Sequence, residues 1–337
     1  MKLVPQFLYK KIEHRTNLVK ILNNIGWLLF DKILRMVVGL FVGVWIARYL
    51  GPNQFGLLSF AQAIAGLFGA LATLGLKGIV VRDLVHDPAS ASVTLGTAAL
   101  LQLVAGFLTF LLILVVIAYL RPEDPYAQSI VAIMAAMLLF KFGEVAEYWF
   151  ESQVQSKYTV WVKNTIFLVF STIKVVLILQ NAPLAAFVWA MLAEAALAAL
   201  ILLAVMGLRG PTLARLKPSI LRAKALMMDS WPLIFSAVAV TAYMKIDQIM
   251  LGQIINDQAV GIYSAAVKIS QAWYFIPMAI VPSVFPAILE AKKRNEAEYY
   301  ARLQKLYDLL VIISVIVALP MTFFAEPLVR LIFGGSY

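Results

Sequence analysis

Nine long apolar stretches dominate this sequence, at 26–50, 55–76, 93–120, 126–150, 158–180, 184–208, 231–255, 259–288 and 306–325. A helix of roughly 20 apolar residues crosses the hydrocarbon core of a bilayer. In lipid a backbone satisfies its own N–H and C=O groups only as a helix or a closed barrel. Alternating segments of about ten residues, the mark of a barrel, do not occur. The expected fold class is therefore an all-α polytopic membrane protein. Turn chemistry separates the runs at Gly51-Pro52-Asn53, Asp87-Pro88, Arg121-Pro122-Glu123-Asp124-Pro125, Asn181-Ala182-Pro183, Arg209-Gly210-Pro211 and Asn256-Asp257.

Composition closes off the soluble classes. Hydrophobic residues make up 62% of the chain and charged residues 14%, against about 25% charged in an ordinary soluble domain. A soluble enzyme, a DNA-binding domain and a secreted scaffold are excluded, and no nucleic-acid partner is expected. The chain has no cysteine and two histidines, His14 and His86, so no disulfide, thiolate site or His-based metal site is expected. Walker, nucleophile-elbow and Asp-x-Asp sugar-nucleotide motifs are absent. The expectation is a protein with no catalytic residue, metal or cofactor, and no ATP-driven chemistry of its own.

The net charge of +10 is mostly topology. Eighteen Lys and Arg fall on the N-terminal side of the nine runs, and three (Arg48, Arg121 and Arg330) on the other. By the positive-inside rule the N-terminus faces the cytoplasm. The first apolar run starts late and contains Asp31, Lys32 and Arg35, so the N-terminus is not a cleaved signal peptide. Residues 1–20 read as a basic cytoplasmic leader.

A shift of 205 residues lays the start of the first run on the start of the seventh. Leu28-Leu29-Phe30 meets Leu233-Ile234-Phe235, and Gly56-x-x-Ser59 meets Gly261-x-x-Ser264 without a gap. The repeat unit holds six runs, an even number, so both copies enter the membrane in the same direction. Such a parallel repeat predicts two lobes about an axis along the membrane normal. The expected organisation is a first lobe at 21–208 with six helices, a cytoplasmic linker at 209–228, and a partial second lobe at 229–337 with three. A second copy of three runs marks the chain as a fragment of a longer parent or a truncated reading frame, one expected not to transport alone.

These residues also carry a family resemblance. Asn24-x-x-Trp27, Asp31-Lys32 and Arg35 precede Ala47-Arg48-Tyr49-Leu50-Gly51-Pro52-x-x-Phe55-Gly56. Leu74-Gly75-Leu76 leads to Val81-Arg82-Asp83, and Asp247-Gln248-Ile249-Met250-Leu251-Gly252 to Val260-Gly261-Ile262-Tyr263-Ser264-Ala265-Ala266. Leu328-x-x-Leu331-x-Phe333-Gly334-x-x-Tyr337 closes the chain. From about residue 20 onward the sequence resembles the polysaccharide (O-antigen/exopolysaccharide) flippases of the multidrug/oligosaccharidyl-lipid/polysaccharide exporter superfamily. The resemblance implies twelve to fourteen helices in two lobes and alternating access. It implies movement of an oligosaccharide on an undecaprenyl-pyrophosphate carrier to the outer leaflet of a bacterial or archaeal cytoplasmic membrane. Its implied partners are that lipid-linked oligosaccharide, membrane lipids, and polysaccharide polymerase and chain-length machinery.

Ionisable residues inside spans are costly and usually face a cavity or a partner. Seven are basic (Lys32, Arg35, Lys141, Lys163, Lys174, Lys245, Lys268) and five acidic (Asp31, Glu144, Glu147, Glu194, Asp247). A pyrophosphate cargo needs cations, and its sugars need hydrogen bonds and aromatic faces. Arg35, Lys163, Lys174, Lys141, Lys245, Lys268, Tyr148 and Tyr243 are the candidate cavity residues. Asp31, Glu144 and Asp247 are candidate proton or sodium sites. Asp31 and Arg35 share a helix face, either as a structural pair or with Asp31 holding Arg35 towards phosphate. Lys141, Glu144 and Tyr148 share another face, with an internal Lys–Glu pair as the bland alternative. Lys163 and Lys174, three turns apart with no acid in their run, are expected to be unpaired and to hold the pyrophosphate. Arg48 and Arg82 read as interface anchors, and Pro277, Pro282 and Pro286 as kinks in the eighth run. The rival assignments are a peptidoglycan-precursor flippase, a drug/cation antiporter, which would want a more acidic cavity, and a membrane glycan polymerase or ligase, which would want a large outer loop.

Overall fold

The computed structural model describes the backbone of residues 16–335 and 337. Side chains are described from Asn24 on, except at positions 213, 275, 279, 282 and 286. Of the expected leader, residues 1–15 lie outside the described residues. Among the described residues every regular element is helical.

The first helix, α1 (Thr16–Thr73), is two helices joined at Gly51, which has φ 69° and ψ 171°. A residue before proline avoids the α region, and glycine reaches positive φ without a Cβ clash. Pro52 then opens the second half, 52–73, where its missing N–H is not needed. The first two expected runs are thus both present. A left-handed turn at Leu74 (φ 53°) and Gly75 (φ 61°) ends the second and starts α2 (Leu76–His86). A short 3-10 turn leads into α3 (Ala91–Leu120). Asp124 caps α4 (Pro125–Ala136) by accepting from the Ala127 N–H at 2.9 Å. A 3-10 segment, Met137–Glu144, joins α4 to α5 (Val145–Ser152). Then follow α6 (Lys157–Leu179), α7 (Leu184–Arg209) and α8 (Ile220–Ile254). The remaining helices are α9 (Asp257–Gln271), α10 (Phe275–Arg294) and α11 (Glu296–Phe333).

Among the described residues eight helical stretches are long and apolar enough to cross a membrane. The first, Asn24–His86, contains both of the first two expected runs. Large apolar side chains such as Phe41 and Val115 are exposed, a poor outer face in water and a suitable one against lipid tails. The chain is a multi-pass membrane protein. The eighth run is broken by a 3-10 turn at Ala272–Tyr274, ahead of all three prolines. Pro277 lies in the first turn of α10, where it costs no hydrogen bond, so it is not the kink expected of it. The side chains of Pro282 and Pro286 lie outside the described ones.

By internal contacts the chain forms two compact units, Met1–Gly261 and Ile262–Tyr337. In the second, the end of α9 and α11 flank a groove of about 510 Å³ lined by Ser270, Trp273, Ser314 and Met321 among others. In the first, small residues let backbones meet, as expected of helices that gain nothing hydrophobic by leaving lipid. A Cβ on Gly106 would crowd the Leu138 carbonyl, and one on Gly143 would crowd Ala199.

Contacts within the first unit sort its turns into two ends. At one end the Tyr49 hydroxyl donates to the Ala182 carbonyl at 2.8 Å, and Arg121 meets Asp257. At the other end Lys217 N donates to the Ser92 carbonyl at 3.2 Å, Ser219 N to Thr97 Oγ1 at 3.0 Å, and Ser156 N to Asn24 Oδ1 at 2.8 Å. Arg82 is more than an interface anchor: it pairs with Asp229 at 2.8 Å, while Arg222 pairs with Asp83 at 2.7 Å. The two ends correspond to the two sides of the charge count. Cysteines placed singly in this cysteine-free chain are expected to be cytoplasmic at Lys217 and Lys293 and external at Asn53, Glu123 and Asn181. Labelling from outside at position 217 would reverse the assignment.

Candidate functional site

The 3-10 segment inside the membrane-spanning stretch Pro125–Ser152 is the local event that builds the site. A 3-10 turn has three residues, so side chains three apart eclipse. Lys141 and Glu144 therefore stand one above the other, with Nζ 2.7 Å from Oε1. Return to α-helix at Val145 places Tyr148 one turn further on, and its hydroxyl donates to Glu144 Oε2 at 3.1 Å. The same hydroxyl accepts from Gln102 Nε2 of α3 at 2.9 Å. Tyr148 is almost fully buried and Gln102 fully so. One turn away, Glu147 accepts from Lys163 of α6 at 2.5 Å. Lys141, Glu144, Glu147 and Lys163 line a cavity of about 180 Å³, floored by Gly143, Ala195, Ala198 and Ala199. Two cations and two carboxylates give it no net charge. It presents both donors and acceptors, beside a wall of small residues.

The other expected residues lie outside this cavity. Arg35 pairs with Asp31 at 2.8 Å along α1, as the four-residue spacing predicts, and its guanidinium sits 4.9 Å from the Phe167 ring centre on α6. Lys174, with its side chain 9% exposed, pairs at 2.7 Å with Glu194 of α7. Tyr243 and Asp247 are exposed on α8 and Lys245 is half-buried there. Lys268 belongs to the second unit.

One expectation is corrected outright. Lys163 and Lys174 are not unpaired: each meets a carboxylate from a different neighbouring helix, Glu147 of α5 and Glu194 of α7. The acids missing from their own run are supplied laterally, because an isolated cation in the bilayer costs several kcal/mol. Gln102 was missed altogether. Its signal was a lone amide in a 28-residue apolar run, a buried polar group that needs a partner. Among the described residues no group of three or more His, Cys, Asp or Glu is placed to hold a metal ion.

The pairing makes a direct prediction. Lys174→Gln strands the Glu194 carboxylate in a largely buried position and is expected to cost about 3–5 kcal/mol of stability. Adding Glu194→Gln should recover most of that loss. Thermal unfolding of the detergent-solubilised protein checks both, and a double variant no better than the single would show that the pair is not what holds these groups.

Comparison with known proteins agrees with this architecture. The chain is similar to a probable low-salt glycan biosynthesis flippase of Haloferax volcanii, Agl15, with 22% identity over 88% of this chain and 62% of that protein. It thus spans somewhat under two thirds of that relative's length. In structure it resembles a multidrug-resistance MATE transporter of the MOP superfamily solved in an inward-facing conformation. The TM-score is 0.66 and the identity 14%, over 89% of this chain and 72% of that one, which shows a shared fold. The family described as polysaccharide biosynthesis protein matches residues 21–292, and with that match over most of its length the chain belongs to this family.

Proposed function

We propose that this chain forms the first lobe and part of the second of a flippase, one that moves a lipid-linked oligosaccharide across the cytoplasmic membrane for polysaccharide synthesis. The observation that carries the proposal is the family match along 21–292. The relative named for glycan flipping supports it. The cargo class is a glycan on a polyprenyl-pyrophosphate carrier, and the driving step is alternating access between two six-helix lobes with the N-terminus inside. Polymerase and chain-length proteins are its partners, and it performs no catalysis of its own.

The cavity chemistry refines how such a cargo is held. A flippase must release what it binds, so a bare cationic pocket for pyrophosphate would retain its ligand too well. Lysines already engaged by carboxylates exchange one anionic partner for another, at small net cost. In this account Lys163 leaves Glu147 for the phosphate, Lys141 leaves Glu144 in the same way, and the freed carboxylates accept sugar hydroxyls. Glu144 is then a sugar acceptor and candidate proton site, Tyr148 its positioning partner. Arg35, beside Phe167, is a second cation for the head group. Lys174, enclosed with Glu194, keeps the pyrophosphate role expected of it only by parting from that acid.

Double substitution separates binding from pairing. If Lys163 serves only to neutralise Glu147, Lys163→Gln fails and Lys163→Gln with Glu147→Gln works. If it holds phosphate, both fail, and transport falls about tenfold or more, as the loss of a charge-assisted contact would give. The measurement is flipping of a defined polyprenyl-pyrophosphate oligosaccharide in proteoliposomes containing the protein that carries this sequence. Full transport by the double variant contradicts the phosphate role, and the absence of flipping by the unaltered protein contradicts the function itself.

A further inference from the structure

A multiply bonded long-range contact in the first unit lies outside the cavity. Arg121, the residue after α3, has a side chain only 11% exposed. Its two terminal nitrogens clasp both oxygens of Asp257, at 3.0 and 2.5 Å. Nη2 also donates to the Gly252 carbonyl at 2.9 Å, and the guanidinium lies 4.2 Å from the Phe60 ring centre. A bidentate, ring-stacked arginine is the form of ion pair that is both directional and hard to replace. Its backbone is fixed as well, since Gln128 donates to the Arg121 carbonyl at 2.7 Å. Asp257 opens α9, where the helix dipole favours a negative charge.

Beneath this clasp is a contact with internal symmetry. A Cβ on Gly56 would overlap the Asp257 carbonyl and the Gly261 nitrogen, and a Cβ on Gly261 would overlap the Pro52 carbonyl. Positions 52 and 56 become 257 and 261 under the 205-residue shift of the internal repeat. Each repeat therefore presents the same pair of positions to the other, as in a two-fold interface. At these two glycines the contact is backbone on backbone. Asp257 is itself one of the residues in this contact, so the Arg121 clasp bears directly on it.

We infer that Arg121 and Asp257 form a latch that closes the non-cytoplasmic end of the protein between the two repeats, and that must break for cargo to leave on that side. This inference rests on the alternating-access reading above. The clasp joins the turn after α3 to the turn before α9, both at the end that the charge count places outside. Phe60 and Gly252 form the seat into which the guanidinium fits. The latch is stabilised by charge and released by a competing anion or by separation of the glycine surface.

The test reads access and needs no cargo. Ser59, one turn from Gly56 and buried, is replaced by cysteine in the cysteine-free chain, in nanodiscs open on both sides. The rate of reaction with a membrane-impermeant maleimide is then measured. Arg121→Ala and Asp257→Ala are each expected to raise that rate about tenfold or more, and Arg121→Lys, which keeps the charge and loses the fork, to raise it less. Cysteine at Ala146, fully buried in the cluster with Leu95 and Leu226 towards the opposite end, reports unfolding and should stay unreactive in all of them. Rates at position 59 equal to those of the unaltered protein would overturn the latch. So would a matching rise at position 146, which would make the clasp a mere fold-holding pair. Faster labelling at 59 alone in a protein that flips no glycan would leave the latch standing and contradict the transport reading.

Discussion

A charge in a bilayer needs a partner, and in this protein that requirement organises the interior. Moving an unpaired Lys to the bilayer centre costs about 2.5–3.5 kcal/mol even on the mild insertion scales, and helices in lipid gain little by burying apolar surface against one another. Ion pairs between helices therefore decide much of which helix faces which. Lys163 ties α6 to α5 through Glu147, Lys174 ties α6 to α7 through Glu194, and Gln102 ties α3 to the Glu144 network through Tyr148. Glycine and alanine at Gly143 and Ala199 let α7 come close enough for the pairs to form. The polar interior is thus also what orients the helices.

The same logic extends to both ends of the first unit, where charge pairs sit on segments that join its parts. At one end Arg82 and Arg222 hold the start of α8 to α2 through Asp229 and Asp83. At the other, Arg121 holds the α8–α9 turn. The pairs within the membrane are enclosed and short-ranged along the bundle. The terminal pairs connect residues more than a hundred positions apart. Under the proposed function, that difference in placement suits the interior pairs to cargo handling and the Arg121 clasp to gating.

Helices and turns were legible from the chain because their causes are local. Gly51-Pro52 breaks a helix wherever it occurs, and Asp31 and Arg35 meet because four residues make a turn. Lys141, Glu144 and Tyr148 likewise share a face by spacing alone. Partners on other helices were not legible. Lys163 and Lys174 looked alike on one stripe, yet they pair in opposite directions, and depth and rotation of neighbouring helices determine which acid each meets. The 3-10 passage at 137–144 was also hidden, since nothing in Met137-Leu138-Leu139-Phe140 disfavours an α-helix. Arg121 read as one of three stray outer charges because nothing in its own loop announces Asp257.

The central claim is that the charge-paired cavity, rather than the lipid-facing surface, meets the cargo. A photo-reactive phenylalanine analogue at Phe140, which lines the cavity, and at Phe41, which is 71% exposed on the bundle surface, tests it directly. With a radiolabelled polyprenyl-pyrophosphate oligosaccharide in proteoliposomes, crosslinking is expected at position 140, to be competed away by unlabelled cargo and to be weak and uncompeted at 41. Equal labelling at both positions, or none at 140, would contradict the account.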